Sequence, residues 1–582
     1  MVEALRHESF YESGTWIDES LGVYAGWCAR RPSFSDAMPL RNEHGDIVML
    51  FSGEEFPEPG TARRLKERGH DLDIEGSAYL VHLYEEDPSF PAALNGRFHG
   101  LVVDHTQRAV TLFNDRYGAH RLYYHESKDG LYFAAEAKAI LAVHPELKTI
   151  DSCGLGELVS CGAVLENRTL FAGIGVLPGG AKWVLRNGGA EGKDSYFQPH
   201  EWEQQPPLAP ESYYANLREI FARNLPRYFA GREMIGISLT GGLDTRMIMA
   251  RQQAVARSLP CYTFAGIFRD SHDVRVAQHV ADVCGQPYQV IRVGTEFLER
   301  FPAHAERTVY LTDGCADVSR APDLYVNEIA REIAPVRMTG NYGGEVLRGV
   351  RAFKPLALSS DLFSADFLPN IRRAEDGSVR LLRSHPLSCA VFQQVGWHHY
   401  GLRALEETQL SVRSPYLDND LVRTVFRAPT SGHDADDVCL RLIADAHPVL
   451  RRIPTDRGLG GAGLTGAASR ALLELQFKAE YAYDYGMPQW AMRVDRLLAP
   501  LHPERLFAGR HKFSHFRVWY RDVLSTYVRD VLLDPRTLSR PHLTRKNVEA
   551  AVNAHLAGRR NYTREIHTLL TIELVYRLFA TG

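Results

Sequence analysis

The sequence lacks long apolar segments, and no run approaches the roughly 18 residues that a membrane-spanning helix needs. It is also poor in cysteine, with eight among 582 residues and no Cys-x-x-Cys pair. Neither a zinc cage nor a disulfide framework is indicated, so we expect reduced and mostly buried thiols. The first ten residues lack the basic start and the apolar core of a secretory signal. These absences predict a cytoplasmic protein.

An excess of charge of either sign is also missing. The chain carries 67 basic and 71 acidic residues, a formal net charge of -4. Such a balance argues against a nucleic-acid-binding protein that depends on bulk positive charge. With 45% hydrophobic residues, the length fits an ordinary globular protein of roughly two to four domains.

The chain up to about Phe197 has short apolar runs separated by turn residues, which predicts an antiparallel, sheet-dominated domain. The predicted strands include Asp46 to Phe51, Gly100 to Val103, Ala109 to Phe113, Leu122 to Tyr124 and Gly130 to Phe133. Near the end of this region only one clear helix is predicted, over Ala137 to Val143.

Residues 198–210 carry four prolines and no periodic pattern, so they are predicted to form a linker. After them, strands and helices alternate, which is typical of a parallel sheet with helical crossovers. The predicted strands are Met234 to Leu239, Cys261 to Gly266 and Gln289 to Val293, and the helices are Tyr213 to Phe229, Asp244 to Ala256 and Val274 to Cys284. From about Ala467 onward the pattern is largely helical and aromatic.

The most informative segment joins a predicted strand to a predicted helix and reads Thr240-Gly-Gly-Leu-Asp-Thr245. Its two glycines allow the backbone to approach a ligand closely, and N–H groups at a helix start point toward an anion. Asp244 can hold a divalent cation that bridges phosphate oxygens. The lysine of a Walker A loop is absent. The segment therefore predicts a phosphate loop of another kind.

This loop resembles the SGGLDS pyrophosphate loop of the ATP-pyrophosphatase synthetases, above all asparagine synthetase and β-lactam synthetase. Other segments are similar to this family in the same order. In the first domain these are Phe51-Ser-Gly-Glu54 (FNGE), Leu94-Asn-Gly-Arg-Phe98 (LNGMF) and Asn114-Asp-Arg-Tyr-Gly118 (RDRLG); in the second they are Thr339-Gly-Asn-Tyr-Gly-Gly-Glu345 (SGEGxDE) and Arg413-Ser-Pro-Tyr-Leu-Asp418 (RVPFLD). Residues 1–197 are identified as a class II glutaminase-like domain, 198–210 as a linker, and 211–582 as an asparagine-synthetase-like domain.

The resemblance implies an α+β N-terminal sandwich of the glutaminase-like (NTN) type and an α/β parallel-sheet ATP-pyrophosphatase domain with a helical C-terminal region. It also implies that Mg²⁺ and ATP bind across the phosphate loop. The residues expected to bind ATP are Leu239, Thr240, Gly241, Gly242, Asp244, Thr245, Gly266, Gly340 and Asn341.

The synthetase loop departs from the family pattern, because Asn341 and Gly344 stand where the family has a glutamate and an aspartate. Metal binding would then rest on Asp244 and Glu345, with Asp313 or Asp418 as further candidates. We expect the catalytic residues to be Asp244, Glu345, Asn341 and Arg457.

A late loop with the cationic residue of the family corresponds to Arg451 to Gly458. Strict spacing places Asp456 at the cationic position, and a slip of one residue places Arg457 there. We favour Arg457, because the chemistry requires a cation. A solvated basic loop without a catalytic role is the alternative.

The N-terminal domain lacks the nucleophile of a class II glutaminase, an N-terminal cysteine whose α-amino group acts as base. Leu21 stands at that position, and the internal Cys28 has no adjacent α-amine. We therefore expect a carboxylate-adenylating ligase that releases AMP and pyrophosphate and uses ammonia or a substrate amine. A glutamine-hydrolysing asparagine synthetase and a non-catalytic nucleotide-binding scaffold are the alternatives.

The expected partners are a small carboxylate substrate and an amine donor, with neither nucleic acid nor membrane. The sequence is compatible with a homodimer. Trp397-His-His-Tyr400 could suggest a metal site, but a helical surface or core role is the favoured interpretation.

Overall fold

The structure is a computed structural model that describes residues 1–74, 76–186, 189–351, 353–430, 434–460, 463–486, 505 and 508–580. Within these residues, no helix is long and apolar enough to cross a membrane. All eight cysteines are free. The stretch 487–504, which belongs to the predicted helical C-terminal region, lies outside the described residues.

The N-terminal domain is built from antiparallel sheets, as its alternating pattern predicts. Its strands are β1 (Tyr11–Asp18), β2 (Val23–Arg30), β3 (Leu40–Arg41), β4 (Ile47–Glu55), β5 (Gly96–Asp104), β6 (Ala109–Asn114), β7 (Tyr123–Ser127), β8 (Gly130–Ala134), β9 (Gly175–Val176), β10 (Ala181–Arg186) and β11 (Gly189–Ser195). A six-stranded sheet has the order β11-β10-β6-β5-β4-β3, a three-stranded sheet has the order β8-β7-β9, and β1 pairs with β2.

The helices of this domain are α1 (Val2–Leu5), α2 (Thr61–Glu67), α3 (Tyr79–Glu86), α4 (Ala137–Val143) and α5 (Ser152–Cys161). The prediction of only one helix near its end is wrong, because α5 follows α4. The Asp151 carboxylate caps α5 by accepting the N–H of Gly154 at 2.6 Å. A Cβ at Gly156 would lie 2.8 Å from the Asn370 backbone, so close packing favours glycine there. Because glycine has a low helix propensity, the sequence pattern did not predict this helix.

The second domain contains a parallel sheet with the order β14-β13-β12-β15-β16, as the alternation of strands and helices predicts. Its strands are β12 (Ile235–Ser238), β13 (Cys261–Ala265), β14 (Tyr288–Arg292), β15 (Val336–Met338) and β16 (Ser411–Arg413). Because all five strands run in one direction, the loops that follow them gather at one edge of the sheet.

Helices surround this sheet and form the C-terminal region. They are α6 (His200–Glu203), α7 (Pro210–Tyr228), α8 (Asp244–Arg251), α9 (His272–Val283), α10 (Thr295–Leu311), α11 (Ala321–Ile333), α12 (Gly343–Arg348), α13 (Leu368–Leu381), α14 (Pro386–Ser388), α15 (Val395–Trp397), α16 (Tyr400–Glu407), α17 (Asn419–Val425), α18 (Ala435–Ala446), α19 (Pro448–Arg451), α20 (Gly463–Tyr481), α21 (Phe516–Arg521), α22 (Ser525–Leu532), α23 (Pro535–Leu538), α24 (Arg545–Leu556) and α25 (Thr563–Phe579). A π-helical turn, Cys389–Gln394, joins α14 to α15.

Candidate active site

The phosphate loop connects the central strand β12 to helix α8 and is held in shape by its own side chains. The hydroxyl oxygens of Thr240 and Thr245 lie 3.0 Å apart, and the N–H of Gly242 donates to Thr240 Oγ1 at 3.4 Å. The buried Arg246 donates from Nη2 to the carbonyl of Gly241 at 3.0 Å. The loop therefore presents a preformed backbone at the start of α8, where N–H groups attract anions.

Asp244, the first residue of α8, is part of an ion pair. Its carboxylate oxygens accept from Arg348 Nη2 at 2.8 and 3.0 Å, and its carbonyl accepts from the Tyr416 hydroxyl at 2.6 Å. Burial and the nearby charges of Glu345 and Asp436 raise the pKa of Asp244 to about 6, although Arg348 opposes the shift. Two acidic side chains and one arginine therefore act on this carboxylate together.

The loop after β15 packs directly against Asp244 and needs glycine to do so. A Cβ at Gly340 would lie 2.8 Å from Asp244 Cβ, and a Cβ at Gly343 would lie 2.7 Å from Asp244 Cγ. Asn341 is oriented by Thr339, whose hydroxyl donates to Asn341 Oδ1 at 3.0 Å. Tyr342 adopts a left-handed backbone with φ of 71°, which is uncommon for a bulky residue and typical of a functional turn.

Glu345 lies at the start of α12 and contacts a histidine that the sequence pattern did not connect with it. His399 Nε2 lies 3.4 Å from Glu345 Oε1. Burial acts to raise the pKa of Glu345, but the neighbouring His399 lowers it below its ordinary value. His398 and His399 both line the cleft. The histidine pair is therefore part of the candidate site, which the favoured helical surface or core interpretation missed.

A second acidic pair lies behind the phosphate loop. Asp273, near the start of α9, accepts the N–H of Gly241 at 2.6 Å, and the N–H of Asp456 donates to the Gly241 carbonyl at 3.3 Å. Burial and the neighbouring Asp456 raise the pKa of Asp273 to about 7. Arg457 also reaches the cleft, where its guanidinium lies 3.8 Å from the centre of the Phe477 ring.

These segments enclose a cleft of about 740 Å³ at the carboxyl edge of the parallel sheet. Seven of the predicted site residues line it: Thr240, Gly242, Asp244, Gly340, Asn341, Glu345 and Arg457. Four others do not line it and are buried: Leu239, Gly241, Thr245 and Gly266. A Cβ at Gly266 would lie 2.5 Å from the Phe513 carbonyl oxygen, so the chain around residue 513 packs against that position.

Asp313 and Asp418, the two further metal candidates from the sequence, bind other groups of the chain. Asp313 pairs with Lys138 Nζ at 3.2 Å and accepts the N–H of Ala137 at 2.7 Å. Asp418 accepts from Asn224 Nδ2 at 2.8 Å and caps α17. Neither residue lines the cleft.

Sequence reasoning missed several residues that line the cleft: Asp273, Arg348, His398, His399 and Asp436. One signal was available for Asp273, because it follows the predicted strand Cys261 to Gly266, and parallel strands end at the same edge. Nothing in the local sequence connects Arg348 with Asp244, which lies 104 residues earlier.

In the N-terminal domain, the positions that correspond to a glutaminase centre have other contacts. Leu21 lies in the turn between β1 and β2, where its N–H donates to Asp18 Oδ1 at 3.0 Å. Burial raises the pKa of the Cys28 thiol to about 11. Glu54, of the segment similar to the FNGE turn, pairs with Arg413 of the second domain at 2.8 Å.

Comparisons with known proteins agree with this architecture. The family model of the glutamine amidotransferase domain matches residues 1–197, and that of asparagine synthase matches residues 216–436. The chain is 22% identical over 368 residues to glutamine-hydrolyzing asparagine synthetase 1 of Bacillus subtilis, covering 62% of this chain and 56% of that protein. It is 27% identical over 271 residues to glutamine-hydrolyzing asparagine synthetase 2 of the same organism, covering 43% of this chain and 34% of that protein.

The matched stretch therefore spans about half of the first relative and a third of the second. Among solved structures, the glutamine phosphoribosylpyrophosphate amidotransferase from B. subtilis complexed with ADP and GMP is 14% identical, with a TM-score of 0.22. That match covers 46% of this chain and 50% of the other.

Proposed function

Because the chain belongs to the asparagine synthetase family, we propose that it is an ATP-dependent ligase that forms carbon–nitrogen bonds. It adenylates a carboxylate, releases pyrophosphate, and then joins the activated acyl group to an amine with release of AMP. The amine is free ammonia or an amino group of the substrate itself, rather than the amide of glutamine.

One observation supports this function above the others. The Thr240–Thr245 loop, the Gly340–Glu345 loop and Arg457 meet in a single cleft, where the second loop packs against Asp244 of the first. A backbone cradle for phosphate, carboxylates for a cation and an arginine for developing charge are the groups that adenylation requires.

The residues present fit a magnesium ion. Burial is the main cause of the raised pKa of Asp244, and the charges of Glu345 and Asp436 add to it, so a divalent cation at these carboxylates would reduce their mutual repulsion. Asp244 and Glu345 would hold Mg²⁺, which when bound would neutralise phosphate charge. Arg348 would then exchange its pairing with Asp244 for a phosphate oxygen.

In the first step a substrate carboxylate oxygen attacks the α-phosphorus of ATP, and the bond to the bridging oxygen of pyrophosphate breaks. The N–H groups at the start of α8 and the Arg457 guanidinium stabilise the charge that moves onto pyrophosphate. In the second step an amine attacks the acyl carbon, and AMP leaves. The attacking amine must lose a proton, and His399, which lines the cleft beside Glu345, would accept it.

Three features of the N-terminal domain favour ammonia or a substrate amine over glutamine. Leu21 has no nucleophilic atom, and its nitrogen is an amide held by Asp18. Cys28, with its raised pKa, is a poor thiolate. Glu54 is occupied by Arg413. We therefore propose that this domain supports the second domain instead of hydrolysing glutamine.

The test measures the release of AMP and pyrophosphate from Mg²⁺-ATP. The substrates offered are amino acids, dicarboxylates and peptides that carry both a carboxylate and an amine. Each substrate is supplied alone, with ammonium, and with glutamine. We expect AMP with ammonium or with a substrate that supplies its own amine, and none that depends on glutamine. Asp244→Asn should reduce AMP formation by at least about 100-fold, since an interaction of the transition state is lost.

Asp282→Asn, an exposed position on α9, is the matched control and should keep full activity. AMP formation that requires glutamine would contradict the assignment of the N-terminal domain. If no substrate yields AMP, calorimetry with Mg²⁺-ATP distinguishes the remaining cases. If the unaltered chain binds Mg²⁺-ATP and the Asp244→Asn variant does not, the cleft is the nucleotide site. If the unaltered chain does not bind Mg²⁺-ATP, the proposed function is rejected.

A further inference from the structure

Four side chains of a type that binds metal ions lie close together in the N-terminal domain, and none of them lines the cleft. Glu43 lies in the turn between β3 and β4, His70 follows α2, and His82 and Glu85 are three residues apart on α3. One ligand atom of each lies within 4.8 Å of the others. We call these four residues the Glu43–Glu85 cluster.

The spacing of the ligand atoms suits a four-coordinate ion. His82 Nδ1 lies 2.8 Å from Glu85 Oε2 and 3.6 Å from Glu43 Oε2, while His70 Nδ1 lies 3.3 Å from Glu43 Oε1 and 3.9 Å from Glu85 Oε2. Tetrahedral Zn²⁺ with ligands at about 2.0–2.2 Å has neighbouring ligand atoms about 3.3–3.6 Å apart. Small side-chain movements would bring all four atoms to those distances.

Outer contacts orient the ligands. Glu86 Oε1 lies 3.2 Å from His70 Nε2, which is the carboxylate–histidine arrangement that commonly supports a metal-binding histidine. Asn42 Nδ2 donates to Glu85 Oε1 at 2.8 Å, and the N–H of Asp71 donates to Glu43 Oε1 at 2.7 Å. Each glutamate is thus fixed through a hydrogen bond.

The two histidines lie close together beneath the surface. The centres of the His70 and His82 rings are 4.5 Å apart, and His82 is 1% exposed. The carboxylates of Glu43 and Glu85 would balance the charge of a divalent ion bound between the rings.

We propose that the Glu43–Glu85 cluster is a structural zinc site. Nitrogen and carboxylate ligands suit Zn²⁺, and four protein ligands leave no open position for a substrate. The ion would tie together three segments that are separate in the sequence: the β3–β4 turn, the segment after α2 and helix α3. This site is independent of the proposed ligase chemistry.

The experiment uses the full-length chain, freed of metal by dialysis against a chelator and titrated with Zn²⁺ against a chromogenic competitor. We expect a single Zn²⁺ per chain, and a rise in unfolding temperature on zinc addition. Co²⁺ in its place should give the intense visible absorption of a tetrahedral site. His70→Ala should lose binding, and Glu86→Gln should weaken it about tenfold, as the loss of an outer contact does.

His44→Ala is the matched control, because His44 is an exposed histidine beside Glu43 in the same turn, and it should bind zinc like the unaltered chain. A substitution of the buried His82 could disturb folding, so Glu85→Gln is the second ligand variant. It keeps the shape of the side chain, and we expect zinc to no longer raise its unfolding temperature. An unaltered chain that binds no zinc, or a His70→Ala chain that binds it equally well, overturns the proposal. A Co²⁺ spectrum of the weak, octahedral kind also overturns it.

Discussion

At Asp244 two opposing influences meet on one carboxylate. Burial and neighbouring acids raise its pKa to about 6, while Arg348 at 2.8 Å favours its charged form. Without a ligand the arginine supplies the positive charge that the site needs. In the function that we propose, Arg348 would contact a phosphate oxygen once phosphate and a cation are bound, and the charge of the cleft would stay balanced.

Asp273 shows the cost of a poorly compensated carboxylate. In the folded chain burial and Asp456 raise its pKa from 3.8 to about 7, so the folded protein keeps the proton over a pH range in which the unfolded chain has lost it. The free energy of unfolding therefore decreases as pH rises from about 4 to about 7. Asparagine removes this ionisation and still accepts the N–H of Gly241.

We expect Asp273→Asn to increase the free energy of unfolding by about 1–2 kcal/mol more at pH 8 than at pH 5. Urea denaturation at both pH values measures the difference. Asp282→Asn, exposed on the same helix, should show no such pH dependence. A stabilisation that is equal at both pH values would contradict the assignment of the raised pKa to Asp273.

Helix α12 and its preceding loop act as one element that positions Asp244. Gly343→Ala would place a Cβ 2.7 Å from Asp244 Cγ, and this carboxylate is already fixed by Arg348. We expect the variant to destabilise the chain by about 1–3 kcal/mol, as overpacking does. It should also weaken the binding of Mg²⁺-ATP at least about tenfold, a loss of about 1.4 kcal/mol. Calorimetry and thermal unfolding measure the two effects.

Gly377→Ala on α13 is the control, because a Cβ there meets nothing within 4 Å. Alanine should leave ATP binding unchanged and stabilise the helix by about 0.5–1 kcal/mol. If Gly343→Ala bound ATP like the unaltered chain, the close packing of the two loops would not position Asp244.

On the scale of the whole molecule, segments similar to a glutaminase now hold the two domains together. Glu54 pairs with Arg413, Asn95 Nδ2 donates to Asp418 at 3.0 Å, and Arg97 Nη1 lies 3.3 Å from Glu407. Arg413 and Asp418 belong to the segment that resembles RVPFLD. Two of these segments from the N-terminal domain and one from the second domain therefore meet at one interface.

We expect Arg413→Met to decrease the free energy of unfolding by about 3 kcal/mol, because it leaves Glu54 and the half-buried Glu233 without their shared cation. In a double-mutant cycle, Glu54→Gln should cost less in the Arg413→Met background than alone. Chemical denaturation of the four proteins measures the coupling.

Arg292→Met is the control, since Arg292 and Asp270 form a pair on the exposed surface that should contribute little. Additive costs for Glu54→Gln and Arg413→Met would mean that this pair does not couple the domains.

The local pattern was sufficient for the two types of sheet and for the strand–loop–helix unit around Thr240 to Thr245. The sequence alone predicts the antiparallel N-terminal domain and the parallel sheet, because apolar periodicity and turn residues are properties of neighbouring positions. The strand β12, the loop Thr240 to Thr245 and the helix α8 are consecutive in the chain. The unit could therefore be predicted without knowing which distant segments pack against it. Helix α5 was missed where tertiary packing favours glycine.

From the sequence alone follow the two types of sheet, the strand–loop–helix unit around Thr240 to Thr245 and the motifs that resemble the asparagine synthetase family, and seven residues predicted for the site line the cleft. The pairing of Asp244 with Arg348, the contact of Glu345 with His399 and the Glu43–Glu85 cluster appear only in the folded chain. The physical reason is that these partners come from loops far apart in the chain. Their meeting depends on strand order and helix packing, which no local spacing encodes.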